Sequence, residues 1–370
     1  MKRFKYLVLG IIAYLFMSTS VLASDDSVMN ITSLEELTKC LNNNGICKLN
    51  DDIVVDEALL VRGNVTLDLN GYTIAPQDTL KVNGGYIGIS NGAKLTINDT
   101  SGKGIITTGA GNSNVWAAIQ MAKGNTSNAL SELVVNNGTI EGYYYGIVGN
   151  GDKHNTKITI NNGNIKALNI SDSVGIYNPQ MGDVIINNGT ISGGTGIEMR
   201  AGNLTINDGT IKGIAPTFTK DANTNGSTTN GVGVSVAQHT TKNSINVTIN
   251  DGNISGQYAF YEWNPHKNDQ TALDKINIDI NGGDFKTLLS GGYAVYSEDF
   301  KSFINGGKFN TSVTEYLADD AKLSAKILDI ENTTQTKSKG NNVWVLSFIF
   351  LIIVGGIMGY IIYKKKTSMR

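Results

Sequence analysis

The stretch Leu204-Thr205-Ile206-Asn207-Asp208-Gly209-Thr210-Ile211-Lys212-Gly213 decides the fold of this 370-residue chain. Apolar and polar residues alternate on both sides of an Asn-Asp-Gly bend, as expected of two strands that each bury one face. The segment recurs as LVVNNGTIEG (133–142), ITINNGNIKA (158–167), VIINNGTISG (184–193), VTINDGNISG (247–256), IDINGGDFKT (278–287) and SFINGGKFN (302–310). Worn copies read VTLDLNGYTI (65–74) and LTINDTSGKG (95–104). The bend glycines Gly138, Gly163, Gly189, Gly209, Gly252, Gly283 and Gly307 are 25, 26, 20, 43, 31 and 24 residues apart. Such periods mark a solenoid, in which no unit buries its apolar face alone.

The residue types select which solenoid. Thr, Val and Ile dominate and favour strands. No unit carries an apolar pattern of helical period, which removes helical repeats and the leucine-rich horseshoe. The expected fold is therefore all-β: a single parallel β-helix of about nine coils, roughly 43 Å long at ~4.8 Å per coil. A second short strand follows each bend: AAIQM (117–121), YGIVG (145–149), VGIYN (174–178), TGIEMR (195–200), VGVSV (232–236), YAFYEW (258–263) and YAVYS (293–297). The long interval from Gly209 to Gly252 predicts a polar insertion, about 217–230, looping out of one coil.

Asn136, Asn161, Asn187, Asn207, Asn250, Asn281 and Asn305 share one place in successive units, as do Asn70 and Asn98. Asn tolerates the left-handed backbone that a bend uses, and stacked Asn side chains can hydrogen-bond along the axis. These residues read as a structural ladder rather than as ligands.

Open strand edges at the rod ends need covers. Ser33-Leu34-Glu35-Glu36 has the capping-box pattern of a helix start, and Leu34, Leu37 and Leu41 fall on one face. A short cap helix with the first strand is expected over 24–50, the β-helix over 51–327, and a far-end cap within 313–330. Cys40 and Cys47 are the only cysteines. An even pair in an exported segment predicts a disulfide, free buried thiols being the other reading. Two thiols without a nearby His make no metal site, and no cofactor is implied.

The chain starts with Lys2, Arg3 and Lys5, an apolar run, and a Val21-Leu22-Ala23 exit. That is a secretory signal over 1–23, with an uncleaved N-terminal anchor as the alternative. A second apolar run, 343–363, follows a linker over 328–342 and contains no charged residue, long enough to span a bilayer as a helix. Lys364, Lys365, Lys366 and Arg370 make a basic tail over 364–370, which puts the C-terminus in the cytoplasm and the bulk of the chain outside. Gly355 and Gly359, four apart, would let two such helices approach as a weak dimer. Without the seven terminal basic residues, 23 basic residues face 32 acidic ones, a net of about −9. That balance excludes nucleic acid as a partner.

With those features in place, SLEELTKCLNNNGICKLNDDIVV (33–55) followed by VTLDLNGYTI (65–74) resembles the start of right-handed β-helix domains on bacterial, especially Firmicute-type, surface proteins. The resemblance covers about 31–310. It implies the pectin-lyase-like fold and an adhesin-like role at the cell surface. The C-terminal layout is similar to a wall-sorting signal, but no LPxTG-like motif precedes the apolar run, which argues against sortase attachment.

Enzymes of that fold cleave acidic polysaccharides with clustered carboxylates, calcium and a basic residue. Here Arg62 and Arg200 are the only arginines in the exported part, and His154, His239 and His266 lie in polar turns that read as solvated. No catalytic residue is assigned; an anchored lyase or hydrolase would have to use Glu198 or Glu262. A structural spacer is a third reading. The favoured reading is a non-enzymatic surface module that binds a glycan or a protein. Aligning the second strands on their small residues (Ala118, Gly146, Gly175, Gly196, Gly233, Ala259, Ala294) puts Gln120, Val148, Tyr177, Glu198, Ser235, Tyr261 and Tyr296 in one outward column. Arg200 and Trp263 follow two residues on. Tyr177, Glu198, Arg200, Tyr261, Trp263 and Tyr296, over a floor of Gly and Ala, are the expected ligand-binding lane. The competing reading is that these aromatics only cover the sheet or pack under the inserted loop.

Overall fold

A computed structural model of the protein describes residues 28–124 and 128–321. The expected signal (1–23), linker (328–342), membrane-spanning stretch (343–363) with Gly355 and Gly359, and basic tail (364–370) lie outside the described residues. Among the described residues no helix is long and apolar enough to cross a membrane.

The chain winds through three parallel sheets, A, B and C, of ten, ten and nine strands. One coil shows the order: Gly182–Ile186 in sheet A, Thr190–Gly193 in B and Thr195–Met199 in C, then Gly202–Ile206 back in A. Each strand pairs with its counterpart one coil away, as Leu204 does with Val184 and Val247. The fold is a parallel β-helix. Leu204 and Ile206 from sheet A, Ile211 from B and Ile197 from C are buried in one core that runs through the rod. Their solvent-facing neighbours Asn203 and Thr205 are half-buried, which is the alternation that the repeat required.

The Asn column forms a continuous ladder. Each Nδ2 donates to the Oδ1 one coil before, from Asn136 to Asn98 (2.8 Å) through Asn161, Asn187, Asn207, Asn250 and Asn281 to Asn305 (3.1 Å from Asn281). One part of the expectation is corrected. Of these Asn residues only Asn70 has a positive φ; the left-handed position belongs to the glycine two residues on, as at Gly209 (φ 115°). Glycine takes that conformation without a Cβ penalty, which leaves Asn to point its amide along the axis. Asp208 and Asp251 are turn residues: their carboxylates accept from the N–H of Gly209 and Gly252.

Helix Leu34–Leu41 lies between strand Met29–Ile31 and strand Gly45–Leu49, and buries Leu37, Cys40 and Leu41. Ser33 caps it, and the Glu36 carboxylate reaches back to the Thr32 N–H at 2.8 Å. Its end meets the first sheet-C strand, Leu59–Val61, where the Arg62 N–H donates to the Leu41 carbonyl. Cys40 and Cys47 are disulfide-bonded, tying the helix to the next strand. At the other end Tyr316 accepts from the N–H groups of Phe303 and Ile304, so residues 313–321 cover the last coil.

Candidate binding groove and its roof

Sheet C brings the outward column together in the expected register: Gln120, Val148, Tyr177, Glu198, Ser235, Tyr261 and Tyr296 pair coil by coil. The small residues, however, are not its floor. A Cβ on Gly146, Gly175, Gly196 or Gly233 would come within 2.6–2.8 Å of Cγ2 of Ile165, Ile191, Ile211 or Ile254, all residues of the core. Alternation breaks at this point: Gly146 and Ile147 both face inward, and Tyr145 and Val148 both face out. The glycines are small because sheets B and C meet there.

The expected open lane is roofed over most of its length. Tyr177 (6% exposed), Glu198 (0%), Arg200 (0%), Tyr261 (3%) and Trp263 (8%) are buried; Tyr296 is half-buried. The cover is residues 214–231, between strands Thr210–Gly213 and Val232–Val236. They fold as an antiparallel hairpin, Thr219–Lys220 against Thr229–Asn230, laid on the outer face of sheet C. Phe218 packs on Tyr258 and Tyr261 with ring centroids 4.7 and 4.8 Å apart. The Lys220 ammonium stands 4.7 Å over the Trp263 ring, a favourable cation–π contact. Tyr261 stacks on Tyr296 at 4.8 Å, beyond the edge of the roof.

Two buried charges fasten this roof. Glu198 accepts from the Thr228 N–H (2.8 Å), the Thr228 hydroxyl (2.8 Å) and the Thr229 hydroxyl (3.4 Å). Burial pushes its carboxyl up, and the Arg200 guanidinium and those donors pull it back. Arg200 donates to the carbonyls of Gly226 (2.8 Å) and Ala237 (3.3 Å) and to the Tyr177 hydroxyl (3.3 Å). Its remaining nitrogen meets His266 Nε2 at 2.6 Å. A guanidinium only donates, so the imidazole accepts there and is neutral. Burial, then Arg200 and His239, hold the His266 ring below the ordinary histidine range. His239 Nε2 lies 2.9 Å from the Thr224 carbonyl at the tip of the roof. Both histidines are therefore latch residues, not the solvated loop residues that the polar turns suggested.

An open groove of about 490 Å³ lies on the N-terminal side of the roof, along the same column. Its floor includes Gln120, Tyr145, Val148 and Tyr177, Trp116 stands at one side, and Thr224, Asn225 and Gly226 of the roof tip form the end wall. Trp116 is 41% exposed. The Tyr145 and Tyr177 rings lie 5.3 Å apart. Asp152 sits at the lip, and no Lys or Arg lines the groove. Sequence reasoning placed Gln120, Val148 and Tyr177 in the column but missed Trp116 and Tyr145. Their signal was faint: a Trp and a Tyr-Tyr-Tyr run where sheet B turns into sheet C.

Glu262 lies at the far end, inward by alternation. Its carboxylate accepts from the Ser297 hydroxyl (2.7 Å) and from the N–H groups of Glu298 and Asp299. Burial raises it to about 7. Among the described residues no group of His, Cys, Asp or Glu is placed to hold a metal ion. Compared with known protein families, curated proteins and solved structures, the chain matches none.

Proposed function

We propose that the protein is an extracellular, adhesin-like binding module: a right-handed, pectin-lyase-like β-helix anchored by one membrane span over 343–363. It binds a glycan or a protein ligand and does not cleave it. The supporting observation is the groove in which Trp116 is 41% exposed and Tyr145 half-buried, over a floor that ends on the buried Tyr177. A concave site with aromatic walls and a few placed polar groups is the usual form of a ligand site.

The enzyme reading would rest on Glu198 or Glu262. Glu198 is saturated by the roof and Glu262 by the far-end turn, and neither lines the groove. The test uses the full-length protein in detergent micelles, screened on glycan and protein arrays beside Trp116→Ala. Binding that the variant loses is the expected result. Release of reducing or unsaturated sugars by the wild type would overturn it.

A further inference from the structure

We infer that the groove takes an uncharged carbohydrate chain, lying along the rod axis with its sugar faces against Trp116 and Tyr145. This rests on the binding reading above and adds the ligand class.

Size comes first. A volume of about 490 Å³ falls within the few hundred to a thousand Å³ typical of small-ligand sites. A stable protein partner instead needs roughly 1,000 Å² or more of buried surface. The floor runs over four consecutive sheet-C coils, those of Gly84, Gln120, Val148 and Tyr177. At ~4.8 Å per coil that is about 15 Å, the reach of a short oligosaccharide rather than of a single sugar.

Chemistry comes second. A pyranose presents apolar C–H faces and a rim of hydroxyls, each both donor and acceptor. The rings of the exposed Trp116 and the half-buried Tyr145 match the former. The side-chain amides of Gln120 and Asn225, which also both donate and accept, match the latter.

Charge excludes the alternatives. Asp152 is the one carboxylate of the lining, no Lys or Arg accompanies it, and the ring of His239, which also lines it, is committed to the Thr224 carbonyl and the Thr241 N–H. The nearest guanidinium, Arg200, lies behind Tyr177 with its donors committed to Tyr177, Gly226, Ala237 and His266. A uronate, sulfate or phosphate would meet a carboxylate and no counter-charge, on an exported domain with a net charge near −9.

The experiment probes the full-length protein in detergent micelles with immobilised neutral hexose and N-acetylhexosamine oligosaccharides. Chains of the same lengths bearing uronate or sulfate run in parallel. Neutral chains should bind, with affinity changing less than about twofold between 50 and 500 mM salt, because no charge pair is screened. Trp116→Ala should weaken that binding about tenfold, the loss of one good aromatic contact. Anionic chains that bind in a salt-sensitive way and are lost with Trp116→Ala would overturn the ligand class but keep the groove. Neutral chains that still bind both Trp116→Ala and Tyr145→Ala at wild-type strength would overturn the groove itself. No binding to any chain overturns the carbohydrate assignment.

Discussion

The Arg200 guanidinium donates at 2.8 Å to the carbonyl of Gly226, a residue 26 positions later at the tip of the roof. A fully buried cation on sheet C thereby holds the wall of the groove, and its contact with the Tyr177 hydroxyl fixes the floor as well. Arg200→Met keeps much of the volume but removes every donor. Breaking a buried charged network costs about 3–5 kcal/mol, because the partners stay buried and unpaired. Here the loss falls on the roof. Limited proteolysis should cut within 214–231 at low protease, while the β-sheet circular dichroism of the rod stays unchanged. An uncut roof would mean that Phe218 and Thr228 hold it without the cation.

Tyr261 and Trp263 are packed, so their truncation acts on stability. Removing a buried large aromatic side chain costs about 3–5 kcal/mol, and two residues that pack in the same cluster will not lose independently. Tyr261→Ala with Trp263→Ala should lower unfolding stability by at least about 3 kcal/mol. Trp116→Ala, at an exposed position, should stay within about 1 kcal/mol of wild type. Denaturant melts that rank the two the other way would show that the roof does not pack on the column.

Acid should loosen the latch. Burial, Arg200 and His239 hold His266 below the ordinary histidine value of 6.5. The unfolded or undocked chain then binds the proton more readily than the folded one, so stability present above 6.5 is lost as the pH falls toward the depressed value. Proteolytic sensitivity of 214–231 should rise between pH 7.5 and pH 5. His266→Gln, which can still accept from Arg200, should flatten that rise. An equally steep rise in the variant would remove His266 from the explanation.

Glu262 should act with the opposite sign. When folded it keeps its proton up to about pH 7; an ordinary glutamate releases it near 4.5. Between these values the folded state holds the extra proton, so this group makes the protein more stable as the pH falls from about 7 toward 4.5. Comparison with Glu262→Gln isolates the contribution from that of His266. The stability difference, wild type minus variant, should rise on acidification across that window. A difference that stays level from pH 8 to pH 5 would remove the raised carboxyl from the explanation.

The rod was legible in the sequence because its two determinants are local and repeated. Alternation around Asn-Asp-Gly gave the strands, and alignment on the small residues gave the column from Gln120 to Tyr296. Two things were not legible. The direction of Gly146 could not be read from alternation, because two consecutive residues face inward where sheets B and C meet. How 214–231 is fastened could not be read either, although the competing reading, aromatics packed under the inserted loop, is the one the structure bears out. Apart from Phe218 and Lys220, its contacts use backbone and hydroxyl groups of Gly226 and Thr228, which carry no apolar pattern, and they reach partners far along the chain. The available hint lay in TGIEMR itself. A carboxylate and one of only two arginines among the described residues stand there at outward positions of a strand whose neighbours carry Tyr, Ser and Val.

The Asn ladder makes a prediction that depends on position rather than on residue type. Asn207, in mid-rod, donates to Asn187 (2.8 Å) and accepts from Asn250 (2.9 Å); among the described residues Asn305, at the end of the ladder, only donates, to Asn281 (3.1 Å). A net protein hydrogen bond contributes about 0.5–1.5 kcal/mol, and chains of such bonds polarise one another. Asn207→Ala should therefore cost about 1–3 kcal/mol and Asn305→Ala about half as much, in denaturant unfolding at neutral pH. Asn207→Asp separates the two halves of the contribution: a carboxylate can accept from Asn250 but cannot donate to Asn187. Its loss should fall between that of Asn305→Ala and that of Asn207→Ala. Both bends close on a glycine with positive φ, Gly209 and Gly307, so turn preference contributes alike at the two sites. Equal losses at Asn207 and Asn305 would show that the bend alone selects Asn and that the inter-coil bonds add nothing.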